Sequence, residues 1–266
     1  MSLLVKAARR GRDIVTVAPE AVGLRYVGFS AHRLAAGEPL EAAQPGRELC
    51  IVVLAGIVTV RCEGEVFAEI GQRRSVFDDL PPYAVYSPGG AAAIQAIGQA
   101  EVALCWAPGT GALAPRLIRP ETMRRTVRGK ALNTRYVTDI LPEDQPAESL
   151  LVVEVRTPTG HSSSYPPHKH DRDAAPAESR LEETYYHRVD PAQGFVFQRV
   201  YTDERDLDES HAAEDHDVMV VPRGYHPVVV PWGYQSYYLN VMAGPVRAWH
   251  FANDPVHAWI VEPPPK

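Results

Sequence analysis

The segment YPPHKHD, residues 165–171, carries two histidines at positions i and i+2. In an extended chain successive side chains point to opposite faces, so His168 and His170 share a face and Lys169 takes the other. Two imidazoles so placed can ligate one metal ion, with the remaining ligands drawn from elsewhere. LEETYYHR, 181–188, offers the adjacent pair Glu182 and Glu183, of which only one can share the histidines' face. VPRGYHPV, 221–228, places His226 just past a Pro-Arg-Gly turn. Three histidines and one glutamate form a mixed N/O set that suits Zn, Mn, Fe(II) or Ni and leaves positions open for a substrate. A lone His-x-His is more often a solvated surface pair, so the joint pattern carries the reading.

Such ligands need strands to hold them. ELCIVVLAGIVTVRC, 48–62, is rich in β-branched residues and turns near Ala55-Gly56, giving two strands. SLLVVEVRTP, ETYYHRV, GFVFQRVYT, HDVMVVP, HPVVVP and SYYLNVMAG follow at short intervals in the second half. ETYYHRV and GFVFQRVYT flank a turn at 190–194 and are expected to pair as a hairpin. This rhythm, with no well-capped helix before residue 108, predicts an all-β protein built as a duplicated β-barrel. The 24 prolines exceed the average share of about 5% and fit many short strands. PGTGALAPRLIRP, 108–120, is the best linker, RDAAPAESR, 172–180, is expected to be a surface loop, and the tail VEPPPK an exposed end.

The chain has 266 residues and a formal net charge of −6, so it offers no broad basic surface to nucleic acid or anionic membrane. The apolar run CIVVLAGIVTV is about half the roughly 20 residues needed to span a bilayer. The N-terminal MSLLVKAARRGRD lacks the apolar run of a secretory signal. Cys50, Cys62 and Cys105 form no CxxC pair and read as buried free thiols. A soluble cytoplasmic protein is the expectation.

The order His-x-His, Glu, then Pro-x-Gly with a following His resembles the cupin signature. This chain departs from it in spacing, with twelve residues between His170 and Glu183 and one between Gly224 and His226. The longer gap requires 172–180 to bulge outward. The words SSYPPHKHD, LEETYYHR, GFVFQRVYTDERDLDE, VPRGYHPV and YYLNVMAGPVRAWHFANDP are together similar to the bicupin family of 5-deoxy-glucuronate isomerases and related uronate ketol-isomerases. One departure is GHSSS at 160–164, where the resemblance implies Asn-Trp after the glycine.

The resemblance implies two cupin-type barrels, 1–115 without a metal site and 116–266 with one. In the first half Glu48 matches the glutamate of the motif, but no His-x-His precedes it and the only histidine is His32. Glu48 is therefore expected to end a strand in solvent. In the second half the resemblance prefers Glu183 to Glu182 as ligand beside His168, His170 and His226. The implied cofactor is one divalent metal, zinc first, with Mn, Fe or Ni as alternatives. The implied reaction is aldose–ketose isomerisation of a small uronate in inositol catabolism. A Lewis acid would polarise the carbonyl and stabilise the enediolate. Tyr238 is a candidate for moving the proton. Arg199 shares a strand face with Phe197 and Tyr201; its fork could grip the substrate carboxylate, with pairing to a nearby acid as the alternative. The rivals are an Fe(II) cupin dioxygenase and a non-catalytic sugar-binding cupin. At least a dimer is expected.

Overall fold

The computed structural model describes residues 2–261, so the tail beyond Val261 lies outside the described residues. The all-β expectation holds: the described helices are four 3-10 turns of three residues each. A seven-stranded antiparallel sheet runs in the order Leu4–Val5, Val218–Val221, Glu182–Asp190, Gln235–Ala243, Leu151–Thr157, Arg135–Leu141, Arg124–Arg128. A six-stranded sheet runs Arg116–Ile118, Ala84–Ser87, Arg47–Ala55, Ala100–Pro108, Gly28–Leu34, Asp13–Val17. Each large sheet is completed by a four-stranded one, Ser162–Ser163 to Asp208–Glu214 in the second half and Pro39–Ala43 to Glu65–Ile70 in the first. The strand Leu4–Val5 crosses over to pair with Val218 and Met219, so the two halves interleave.

Period-2 alternation explains the apolar runs. In Arg47–Ala55 the residues Leu49, Ile51 and Val53 fill the interior of the first barrel. Cys50, Val52 and Leu54 on the other face join a second core together with Tyr186, Tyr237, Leu239 and Val241 of the seven-stranded sheet. The two large sheets thus pack on each other, and a strand buried on both faces shows continuous rather than alternating hydrophobicity. Phe29 and Tyr186 meet across this layer with ring centroids 5.3 Å apart, and the buried Arg73 and Glu154 pair across it at 2.9 Å. The second barrel has its own interior, including Val153, Val155, Tyr185, Val196, Val228 and Tyr238.

Two expectations are corrected here. The segments around 190–194 do not form a hairpin: Glu182–Asp190 pairs with Val218–Val221 and Gln235–Ala243, while Phe195–Tyr201 pairs with Asp208–Glu214 and Val228–Val229. The turn carries the chain from one sheet to the other. Nor does Glu48 reach solvent; it is fully buried. Its parity turns it toward the second half, where it accepts the backbone N–H groups of Glu148 (2.8 Å), Ser149 (2.6 Å) and Leu150 (2.5 Å) and the hydroxyl of Tyr86. Glu182 does the reverse, accepting the N–H groups of Arg25 (2.9 Å) and Tyr26 (2.7 Å) from the first half. Each half therefore closes a carboxylate over the other's backbone.

Candidate metal centre

The interior of the second barrel collects the histidines. His168 lies on the short strand His168–Lys169, held by Ala252–Asn253. His170 follows one residue on, and Lys169 points the other way to Asp203 (2.6 Å) and Asp171 (3.2 Å). His226 stands after Gly224, whose φ of +91° and whose 2.5 Å approach to the Tyr201 carbonyl, had it a Cβ, leave room only for glycine. The ligand-type nitrogens of His168, His170 and His226 lie within 4.8 Å of one another. The segment 172–177 is exposed, and Glu178 turns back to accept the N–H groups of Asp171 (2.7 Å) and Arg172 (3.1 Å), so the long gap does not disturb the ligand strand.

Glu183 faces this cluster and Glu182 faces away, because they are neighbours on one strand. His170 Nε2 and His226 Nε2 each lie 3.1 Å from Glu183 Oε2. The opposite ring nitrogens are tied back, His170 Nδ1 to the Leu181 carbonyl at 3.1 Å and His226 Nδ1 to the Gly224 carbonyl at 2.8 Å. That arrangement sets the tautomer and aims both Nε2 lone pairs inward, as metal-binding histidines require. The buried His226 Nε2 makes no hydrogen bond of good geometry. A divalent ion fits this donor set: three imidazole nitrogens and a carboxylate, with an orphaned nitrogen among them.

The electrostatics agree. Burial alone would raise the Glu183 carboxyl, but His226 and His170 beside it, with a hydrogen bond from Asn240, bring it down to about 2. Burial, reinforced by the two other imidazoles, pushes His168 well below its ordinary value. His226 is also lowered by burial, whereas the adjacent Glu183 carboxylate overcomes burial at His170 and raises it. One carboxylate thus shares a site with three imidazoles, of which at least two favour the neutral, metal-binding form.

The same cavity is lined by Arg128, Arg135, Tyr185, Tyr238, Asn240 and Trp249. Tyr238 donates to or accepts from Ser163 at 2.6 Å, and Tyr185 shares a 3.0 Å bond with Ser164. Tyr238 is thus brought to the cluster. Arg199 is not. It sits on an exposed strand face with its fork closed on Asp208 at 2.7 and 2.6 Å, the acid pairing that stood as the alternative to a carboxylate role. His187 is buried beneath Tyr185 and bonded to Gln198 at 2.8 Å, outside the cluster. Sequence reasoning missed Ser163, Ser164, Asn240 and the two arginines. Asn240 was findable, as the polar residue at an inward position of an otherwise apolar strand.

The fold is shared with distant structures: an oxalate decarboxylase from Lactobacillus farciminis superposes with a TM-score of 0.63 at 12% identity, over 95% of this chain and 88% of that one. A family model described as the KduI/IolB family matches residues 3–260. The chain belongs to the KduI/IolB family. Among KduI/IolB relatives, a 5-deoxy-glucuronate isomerase of Geobacillus kaustophilus is 51% identical over 251 residues, 94% of this chain and 91% of that one. One of Halalkalibacterium halodurans is 52% identical over 92% of each. The crystal structure of an IolB-like protein from Salmonella typhimurium superposes with a TM-score of 0.96 at 47% identity, covering 98% of this chain and all of that one.

Proposed function

We propose that the protein is a 5-deoxy-glucuronate isomerase, converting 5-deoxy-D-glucuronate to 5-dehydro-2-deoxy-D-gluconate in inositol catabolism. The observation that carries this reading is the inward convergence of His168, His170, His226 and Glu183 in a chain about half identical, over nearly its whole length, to isomerases of that name. In it those four residues hold one divalent metal, zinc first, with Mn, Fe or Ni as alternatives. Such an ion would supply Lewis-acid chemistry at the substrate's carbonyl.

The chain's own residues orient and protect the reacting carbons. Burial raises the Tyr238 hydroxyl above its ordinary value, so it is a phenol and not a phenolate at neutral pH. In this reading the hydroxyl, 2.6 Å from Ser163 and 3.3 Å from Ser164, donates to the oxygen on which charge develops as the proton moves between carbons. Val137, Val153 and Val155 give the same cavity an apolar wall.

The division of labour follows the strand sets, residues 1–115 as a structural barrel and 116–266 as the metal barrel, with short strands exchanged near the boundary and at the N-terminus. The cytoplasm is the proposed setting, supported by three buried free cysteines.

The test is turnover of 5-deoxy-glucuronate by the metal-loaded protein, followed as formation of the ketose. Formation at a rate that falls when the metal is stripped is the expected result. No ketose, or oxygen uptake in its place, would sink the isomerase reading.

A further inference from the structure

Arg128 and Arg135 stand directly opposite each other across the hairpin formed by Arg124–Arg128 and Arg135–Leu141. Like charges so placed destabilise a sheet unless something lies between or beside them. The other arginines of these strands are matched with acids, Arg124 with Asp139 at 2.8 Å, and Arg125 and Arg156 with Asp79. Among the described residues neither Arg128 nor Arg135 has an acid within ion-pair reach. Arg135 spends one nitrogen, Nη1, on the Asn133 carbonyl (3.0 Å) and side-chain oxygen (3.1 Å), which leaves Nε and Nη2. Arg128 lies over the indole of Trp249 at 5.3 Å. The Trp249 Nε1 is itself buried without a hydrogen-bond partner.

Both guanidinium groups line the cavity that His168 and Glu183 also line. The turn is shaped to admit Arg135. Gly129 has φ +75°, and a Cβ there would come within 2.6 Å of Arg135 Nη1 and 2.0 Å of the Asn133 carbonyl. Asn133 in turn donates to the Tyr165 carbonyl at 2.8 Å, which fixes the hairpin against the segment leading into His168. A half-buried guanidinium without a counter-charge is costly, and two in one cavity are costlier. Burial, against the opposing Tyr238 and with a contribution from Arg128, pulls the Arg135 pKa below the ordinary guanidinium range.

We propose that Arg135 and Arg128 form the carboxylate subsite of the metal cavity, with Arg135 gripping the substrate's carboxylate through its fork and Arg128 supplying the second positive charge. This rests on the reading of the substrate as a uronate. It gives these two residues the role that the sequence pattern had suggested for Arg199. The fork suits two carboxylate oxygens, so the subsite orients the sugar acid by one end while the metal ligands face its carbonyl end.

The experiment uses the metal-loaded full chain, with Arg135→Gln, Arg135→Lys and Arg128→Gln. Affinity for D-glucuronate, used as a uronate probe with the absence of turnover checked by product analysis, is measured by calorimetry alongside KM and kcat for 5-deoxy-glucuronate. Loss of a charged hydrogen-bonding partner weakens binding by roughly 10- to 100-fold, so Arg135→Gln is expected to raise both Kd and KM by that factor. Arg135→Lys recovers part of the loss, and metal content stays at the wild-type level. The half-exposed Arg128→Gln, expected to weaken binding less, keeps the test open if Arg135→Gln fails to fold. Glucuronate affinity equal in wild type and variants, or no glucuronate binding by the wild type, overturns the inference. Reduced glucuronate affinity in the variants, in a wild type that does not isomerise 5-deoxy-glucuronate, would leave the carboxylate subsite standing and sink only the isomerase reading.

Discussion

The two barrels follow a similar plan, a large sheet completed by a four-stranded one, and differ in what their inward positions carry. In the second, the residue that follows the outward Glu182 is Glu183, and it faces three histidines. In the first, the residue that follows the outward Glu48 is Leu49, and it packs with Ile51, Val53, Leu104 and Trp106. The first barrel's one histidine, His32, is held between Ser30 (2.8 Å) and Asp13 (2.8 Å). The outward glutamates, by contrast, do the same task in both halves, each binding backbone N–H groups of the other. The two interiors thus differ in chemistry at these positions, while the layer between the barrels draws a buried carboxylate from each side.

The sharpest way to break this comparison is through the metal. The protein should carry about one divalent ion per chain, and His170→Ala should remove it, with a fall in activity larger than the roughly 10- to 100-fold typical of losing an outer partner of a metal ligand. His32→Ala should leave metal content, measured by elemental analysis, unchanged; a loss there would put a second site in the first barrel. Next in size is Leu49→Glu. It places an acid at the inward position that matches Glu183 but without histidines, so a charge is buried unpaired. A loss of roughly 3–5 kcal/mol of stability is expected with no second metal ion bound.

The glutamate pairs separate the two faces. Glu183→Gln should cost metal retention. Glu182→Gln should cost thermal stability, by about 1.5–3 kcal/mol, and leave the metal in place; Glu48→Gln should resemble it. Metal loss in Glu182→Gln with retention in Glu183→Gln would exchange their roles.

The smallest effect concerns protons. Burial lowers His187 to about 4, and it also lowers His32, where the Asp13 carboxylate works against it. Both pKa values lie below the unfolded value near 6.5, so the unfolded chain takes up protons first as pH falls. The stability of neutral His187 is intact above pH 6.5 and drains away between 6.5 and 4, by at most about 1.4 kcal/mol per pH unit. His187→Phe should flatten the dependence of the melting midpoint on pH across that window more than His32→Phe does. Equal slopes would show that Asp13 does not offset burial at His32.

How far all this was legible follows from what a period of two can and cannot say. His168 and His170 were readable as a pair because alternation sorts neighbours onto faces; alternation left Glu182 and Glu183 open, and the resemblance to the family pattern pointed to Glu183 and to His226. Alternation does not reveal whether the outward face meets water or another sheet, which is why Glu48 was expected in solvent. It did not place Arg199 either: a face shared with Phe197 and Tyr201 left a carboxylate role and an acid pairing both open, and the acid, Asp208, lies on the neighbouring strand Asp208–Glu214. A turn such as 190–194 reverses the chain without stating whether the strands stay in one sheet. Arg128 and Arg135 were hidden because what marks them is the acid each lacks, and that is visible only when the hairpin and its neighbours are assembled.

The reciprocal carboxylates also bear on the order in which the chain can be completed as it is made. Glu48 waits for partners 100 to 102 residues further along, and the strand Leu4–Val5 waits for Val218 and Met219. At the usual pace of synthesis, about 5–20 residues per second, the newborn first half spends on the order of five to twenty seconds with an acid and no amides to receive it. Its terminal strand stays unpaired longer still. The first barrel thus leaves the ribosome before the second and is completed only with the second's help.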